Sequence, residues 1–212
     1  VKMASLLVPG LMAVGCTPKG PSLQTEIAET VIVRVADGVG SGVILGPNTV
    51  LTAAHVTDQD TATIETHDGQ KVQAKVTFIW KQDDFAILRT VETLHEPVAT
   101  LAIRAPCDGE TVTAIGDALD MVPWFVSRGV VANTHVPAFG DKFSPDLVAA
   151  DLTLVPGMSG GPVFNADGEV IGLSDAVMPF RLGITRVSFI VPSEAIWHEL
   201  KNILPSSAAL GL

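Results

Sequence analysis

Cysteine is nearly missing from the chain. Cys16 and Cys107 are the only two among 212 residues. A disulfide framework is therefore absent or limited to one pair, and stability has to come from the core. Cys107 is expected to be a partly buried, inert thiol. Charge is also sparse: 17% of residues are Asp, Glu, Lys or Arg, while 47% are hydrophobic, which excludes wholesale disorder. Positive charge is the scarcer sign. Thirteen Lys and Arg stand against 23 Asp and Glu, a net charge of −10. No basic face is available to release phosphate counterions, so a nucleic-acid or anionic-membrane partner is not expected. Repeats of 20 to 50 residues and low-complexity tracts are lacking as well.

What the chain has is Val, Thr and Ile in short runs punctuated by Gly and Pro, the pattern of a mostly β protein with many turns. Strands are expected at Thr30–Val35, Ser41–Leu45, Thr49–Thr52, Thr61–Thr66, Lys71–Trp80 and Phe85–Thr90. After an irregular connection over Val91–Pro106 they recur at Thr111–Ile115, Val122–Ala132, Leu147–Leu154, Val163–Phe164, Glu169–Leu173 and Arg186–Val191. Glu26–Glu29 reads as a short helical turn. From Ser193, a candidate N-cap, Ile196, Leu200, Ile203 and Leu204 fall at helical spacing until Pro205 ends the run.

The N-terminus reads separately. Lys2 precedes an apolar stretch, Met3–Val14, too short to span a bilayer, and small residues lead to Cys16. This is the build of a secretory signal. A cysteine after a glycine at that point resembles the lipobox of bacterial lipoproteins, although Ala13 departs from the usual Leu or Val. The resemblance implies a signal peptide over 1–15, lipidation at Cys16 as the first mature residue, and a tether over 16–22. Simple secretion and a retained hydrophobic terminus are the alternatives.

Chemistry concentrates in Pro156-Gly157-Met158-Ser159-Gly160-Gly161-Pro162. Small residues between prolines suit a tight, strained turn whose backbone N–H groups converge. A serine hydroxyl there can attack a carbonyl, and the N–H groups of Gly157 and Ser159 can hold the resulting oxyanion. The candidate base is His55, at the end of the run Val50-Leu51-Thr52-Ala53-Ala54. The candidate acid is Asp84, at the head of an apolar strand, where a carboxylate is costly unless paired. On chemistry alone Asp83 competes. His67, His95, His135 and His198 are scattered without ligand spacing, and no metal or cofactor is expected.

Thr-Ala-Ala-His, Asp-Phe-Ala-Ile-Leu and Gly-Met-Ser-Gly-Gly-Pro, in that order, resemble the chymotrypsin-like serine proteases. The match sets the acid at Asp84. Within that clan Gly40-Ser41-Gly42-Val43-Ile44, residues 109–116, Val126–Val131 and Ser188–Ser193 are similar to the bacterial HtrA/Deg-type protease domain, without its PDZ domain. The resemblance covers roughly Val31 to Leu204. It implies an all-β fold of two packed antiparallel six-stranded barrels with a C-terminal helix. Barrel 1 would span about 23–96, barrel 2 about 97–191 and the helix 193–204, within a protease domain over 23–204 and before a tail over 205–212. It implies a serine endopeptidase with the triad His55, Asp84 and Ser159, acting on protein or peptide substrates in the bacterial cell envelope. The membrane would be met only through a lipid on Cys16. It also places a substrate pocket at Thr153, Ser174, Asp175 and Ser188. Neutral Thr153 at the base implies small or medium apolar P1 residues, with Asp175 a complication favouring basic ones. Met158 stands where these proteases have Asn or Asp, which leaves open a latent oxyanion loop. The competing class is a protease-fold module that only binds peptides, whose usual mark is a missing triad residue; none is missing.

Overall fold

The structure is a computed structural model and describes residues 20–57, 59–137, 146–175 and 187–203. The leader, Cys16 and the tail lie outside them. Among the described residues the chain forms twelve strands and two α-helices.

Helix α1 covers Leu23–Glu29. Its N-cap is Ser22, whose hydroxyl accepts from the Thr25 N–H. Strands β1 (Thr30–Val35), β2 (Gly38–Gly46), β3 (Thr49–Ala53), β4 (Thr61–Glu65), β5 (Lys71–Trp80) and β6 (Phe85–Thr90) close one antiparallel barrel in the order β1-β2-β3-β6-β5-β4. Strands β7 (Thr111–Ala118), β8 (Val122–Val136), β9 (Leu147–Asp151), β10 (Pro162–Phe164), β11 (Val170–Asp175) and β12 (Val187–Pro192) close the second. Its order, read from β7, is β7-β8-β9-β12-β11-β10, the same topology repeated. Helix α2, Ser193–Ile203, follows. The fold is the expected pair of six-stranded barrels. None of these described helices is long and apolar enough to cross a membrane.

Three hydrophobic layers explain why the strands nearest the site are buried almost throughout. Val31, Val33, Ile44, Val50 and Leu88 fill barrel 1. Val112, Val148, Leu152, Met158 and Ile190 fill barrel 2. The third layer lies between the barrels and under α2, with Val43, Leu45, Leu51, Phe85 and Ile87 from one barrel, Phe164, Leu173 and Phe189 from the other, and Ile196 and Leu200 from the helix. Along β2, Ile44 points into its barrel while Val43 and Leu45 point at the second one. Period-two alternation is thus hidden, because both faces are covered.

Three local expectations change. Residues 152–155 leave β9 and are irregular, since the chain there departs from the sheet to build the serine loop. The Ser193 hydroxyl does not cap its own helix: it is fully buried and donates to the Ala102 carbonyl at 2.8 Å. Cys107 is a free thiol and is exposed, not partly buried, because it sits in the turn region before β7.

Candidate active site

His55 lies in a single 3₁₀ turn, Ala54–Val56, at the end of β3. Asp84 precedes β6, the strand paired with β3, and has φ +49°. That left-handed conformation is uncommon for a residue with a side chain. It lets one residue grip the turn through main chain and side chain together. The Ala54 N–H donates to the Asp84 carbonyl at 3.1 Å. One carboxylate oxygen accepts from the His55 backbone N–H at 2.9 Å, and the other meets ring Nδ1 at 2.6 Å. With Nδ1 engaged, Nε2 is the ring position left for proton exchange. The two side chains are 33% and 27% exposed, so a substrate can reach them. Asp83, the competitor, is buried and lies near the charges of His198 and Glu199 on α2.

Burial acts to lower the His55 pKa, but it is overcome. The hydrogen bond and charge of Asp84, with the charge of Asp175, hold the imidazole above its ordinary value. A cleft of about 340 Å³ opens beside the ring, lined by Ala54, Thr57, Ile79, Lys81 and Asp84.

The serine loop is fixed from behind. Gly157 and Gly160 have φ of +93° and +80°. A Cβ on Gly160 would stand 2.3 Å from Thr52 Oγ1 and 2.6 Å from Ala53 N, which shows how tightly the loop is pressed on β3 just before His55. Successive carbonyls accept hydrogen bonds, some from within the loop and others from the body of the protein. Val155 O accepts from Met158 N, Pro156 O from Leu119 N, Gly157 O from Ser41 Oγ, Met158 O from Ser174 Oγ and Gly161 N, and Ser159 O from Ser41 N. The Met158 side chain is fully buried among Leu152, Leu154 and Val163. An apolar anchor thus holds this point of the loop. Ser159 itself is 7% exposed.

Each of the four residues expected to line a substrate pocket has partners of its own. Thr153 is exposed, with its N–H on Ser127 Oγ at 3.0 Å. Ser174 is buried and its hydroxyl bonds to the Met158 and Gly161 carbonyls, so it braces the serine loop. The buried Ser188 hydroxyl donates to the Leu152 carbonyl at 2.8 Å. Asp175 comes to the histidine: a carboxylate oxygen of Asp175, one of Asp84 and a ring nitrogen of His55 lie within 4.8 Å of one another. Among the described residues these three are a grouping with donors suited to a cation. Both Asp84 oxygens already accept from His55, so the donor set is better matched to moving a proton. The sequence reading missed Ser41. Its Gly-Ser-Gly setting marked a strand, but nothing marked where the hydroxyl would point.

A two-barrel fold with an acid–histidine pair at the head of one barrel and a braced serine loop in the other defines a trypsin-like peptidase. The model of the trypsin-like peptidase domain family matches residues 40–173, and the chain belongs to that family. It is 32% identical over 175 residues to a probable periplasmic DegP-like serine endoprotease of Pseudomonas putida (strain GB-1). That match covers 80% of this chain and 36% of the relative, so the chain spans about a third of that relative's length. Two solved structures share the fold. An HtrA-type protease, AlgW, with a tripeptide superposes with TM-score 0.75 at 24% identity, covering 87% of this chain and 64% of that one. Rv3671c of M. tuberculosis H37Rv, in a mutant, inactive form, gives 0.74 at 20% identity, with 95% and 98% covered.

Proposed function

We propose that the chain is a serine endopeptidase that hydrolyses peptide bonds in protein or peptide substrates through the triad His55, Asp84 and Ser159. The observation that carries this is the two-point grip of Asp84 on His55. It sets the tautomer with Nε2 open to accept the serine proton. In the proposed mechanism the Ser159 Oγ–carbonyl bond forms as its proton passes to Nε2. The oxyanion is received by the Gly157 and Ser159 N–H groups. The C–N bond then breaks as His55 returns the proton to the leaving amine. A water, deprotonated by the same nitrogen, releases the acyl group. Hydrogen-bonded carbonyls from Val155 to Ser159 support a loop formed without an activating partner, because turning any one of these peptides over would forfeit the bond or bonds of its carbonyl.

The proposal extends to a P1 preference for small or medium apolar residues. It also includes export to the cell envelope, with lipid attachment at Cys16 as the anchor. A net charge of −10 supports a reading without nucleic-acid partners.

Labelling with a fluorophosphonate, followed by mass spectrometry of the adduct, tests the reading. The expected outcome is modification at Ser159 alone, with Ser159→Ala unlabelled and its peptidase rate down by on the order of 10⁴–10⁶. Folded protein that takes no label, with or without an unfolded protein substrate present, would point to a peptide-binding module instead.

A further inference from the structure

Two carboxylates approach His55, and acyl transfer by a triad needs only one. Asp84 reaches the ring from the head of β6, in barrel 1. Asp175 reaches it from the C-terminal end of β11, in barrel 2, directly after the Ser174 that braces the serine loop. The spacing of 4.8 Å or less places the second carboxylate within the range where charges act strongly on a partly buried imidazole.

We propose, on the basis of the serine-protease reading above, that Asp175 is a positioning residue for catalysis, a second anion that stabilises the His55 imidazolium formed as Ser159 attacks. When the ring takes the serine proton, the cation forms within reach of two carboxylates, and each attracts it. The effect is greater in the transition state than in the ground state, which is the condition for raising rate. No bond to Asp175 forms or breaks, and the proton stays on the path from Oγ to Nε2 to the leaving amine.

The same arrangement has a consequence in acid. A ring held in its charged form by two anions is also protonated more readily before substrate arrives, and a protonated base is inactive. Among the described residues, the charged groups that face His55 are Asp84 from β6, Asp175 from β11, and Lys81 across the cleft from the β5–β6 turn. Lys81 is exposed and opposes the two anions only weakly. The pull of Asp84 and Asp175 on the ring agrees with its raised pKa.

The test compares the pH profile of kcat/KM in wild type, Asp175→Asn, Asp175→Ser and Asp175→Glu. In both neutral variants the acidic limb is expected to move down by about half a pH unit to one, and the plateau rate to fall roughly 3- to 10-fold. The deficit therefore shrinks as pH falls, and the neutral variants approach wild type on the acidic limb. Asp175→Glu keeps the charge and should keep the limb near that of wild type. A merely structural role would lower activity by a factor independent of pH, and that result, or an unmoved limb, overturns the inference. NMR titration of the His55 ring in the same proteins reads the shift without any turnover. Loss of the shift in an enzyme that still labels at Ser159 sinks the role of Asp175 alone. A protein that shows the shift but never labels sinks the protease reading instead.

Discussion

Charge at single residues decides what the proposed substrate pocket can accept. Thr153, Ser174 and Ser188 carry none, and the hydroxyls of the two buried serines are already committed to backbone carbonyls. The Asp175 carboxylate is drawn into the cluster with His55 and Asp84. A Lys or Arg side chain entering there would lose water and gain no opposite charge from Thr153, Ser174 or Ser188, a loss of several kcal/mol for a buried ion; of the four, Asp175 alone carries one, and it stands beside His55. A peptide library digested by the enzyme should therefore show cleavage mainly after Ala, Val or similar residues; cleavage mainly after Lys or Arg would refute the preference. The roles proposed for His55, Asp84 and Ser159 can be read at this scale because each sits in a short motif whose residue types serve one chemistry. Those of Asp175 and Ser41 cannot. Their neighbours give strand character, and strand character does not say which side chain crosses to the other barrel.

At the scale of the element, α1 holds an unusual pair. Glu26 and Glu29 are 7% and 6% exposed, and one Glu29 oxygen has no hydrogen-bond partner among the described residues. Burial, then the charge of Glu26, pushes the Glu29 pKa up to about 7. Burial also raises Glu26, partly offset by Arg128. A carboxyl whose folded pKa lies above its unfolded value of about 4.5 binds more protons folded than unfolded. Its cost is absent below pH 4.5, grows between pH 4.5 and 7, and is complete above 7. After discounting for solvent screening at the end of a short helix, that cost is roughly 1–3 kcal/mol. Glu29→Gln should thus gain stability over wild type by about that amount at pH 8 and by little at pH 4.5, measured by urea unfolding at both. An equal gain at the two pH values would show that Glu29 ionises normally. Nothing in the sequence marks this burial. A short helical turn with two glutamates reads as solvated, and only the packing of Leu23 and Ile27 on the layer between the barrels turns the acids inward.

Over the whole molecule, the twelve strands were readable from their turns, because Gly and Pro punctuate them regardless of what packs on them. The way one barrel braces the serine loop of the other was not. Ser41, on β2 of barrel 1, is fully buried, and its main chain and side chain hold three groups of barrel 2. Its N–H donates to the Ser159 carbonyl at 2.8 Å, its hydroxyl donates to the Gly157 carbonyl at 2.8 Å, and the same oxygen accepts from the Asp117 N–H at 2.9 Å. Its own carbonyl accepts from Thr52 Oγ1, on the strand that leads to His55. The serine loop and the strand leading to the histidine turn are thus referenced to one residue. Ser41→Ala keeps the backbone bond and removes the hydroxyl, leaving the Gly157 carbonyl and the Asp117 N–H without that partner. The loss in stability should be about 1–3 kcal/mol. The larger effect should be on rate, because the Gly157 carbonyl belongs to the peptide between the two whose N–H groups are proposed to receive the oxyanion, and losing its tether loosens both. A roughly 10- to 100-fold fall in kcat with KM little changed is expected, with a parallel loss in affinity for a peptide boronate that mimics the tetrahedral intermediate. If KM rose and kcat held, Ser41 would serve the shape of the cleft and not the loop. If neither moved, the remaining carbonyl bonds, from Leu119, Ser174 and the Ser41 N–H, would be enough to hold the loop.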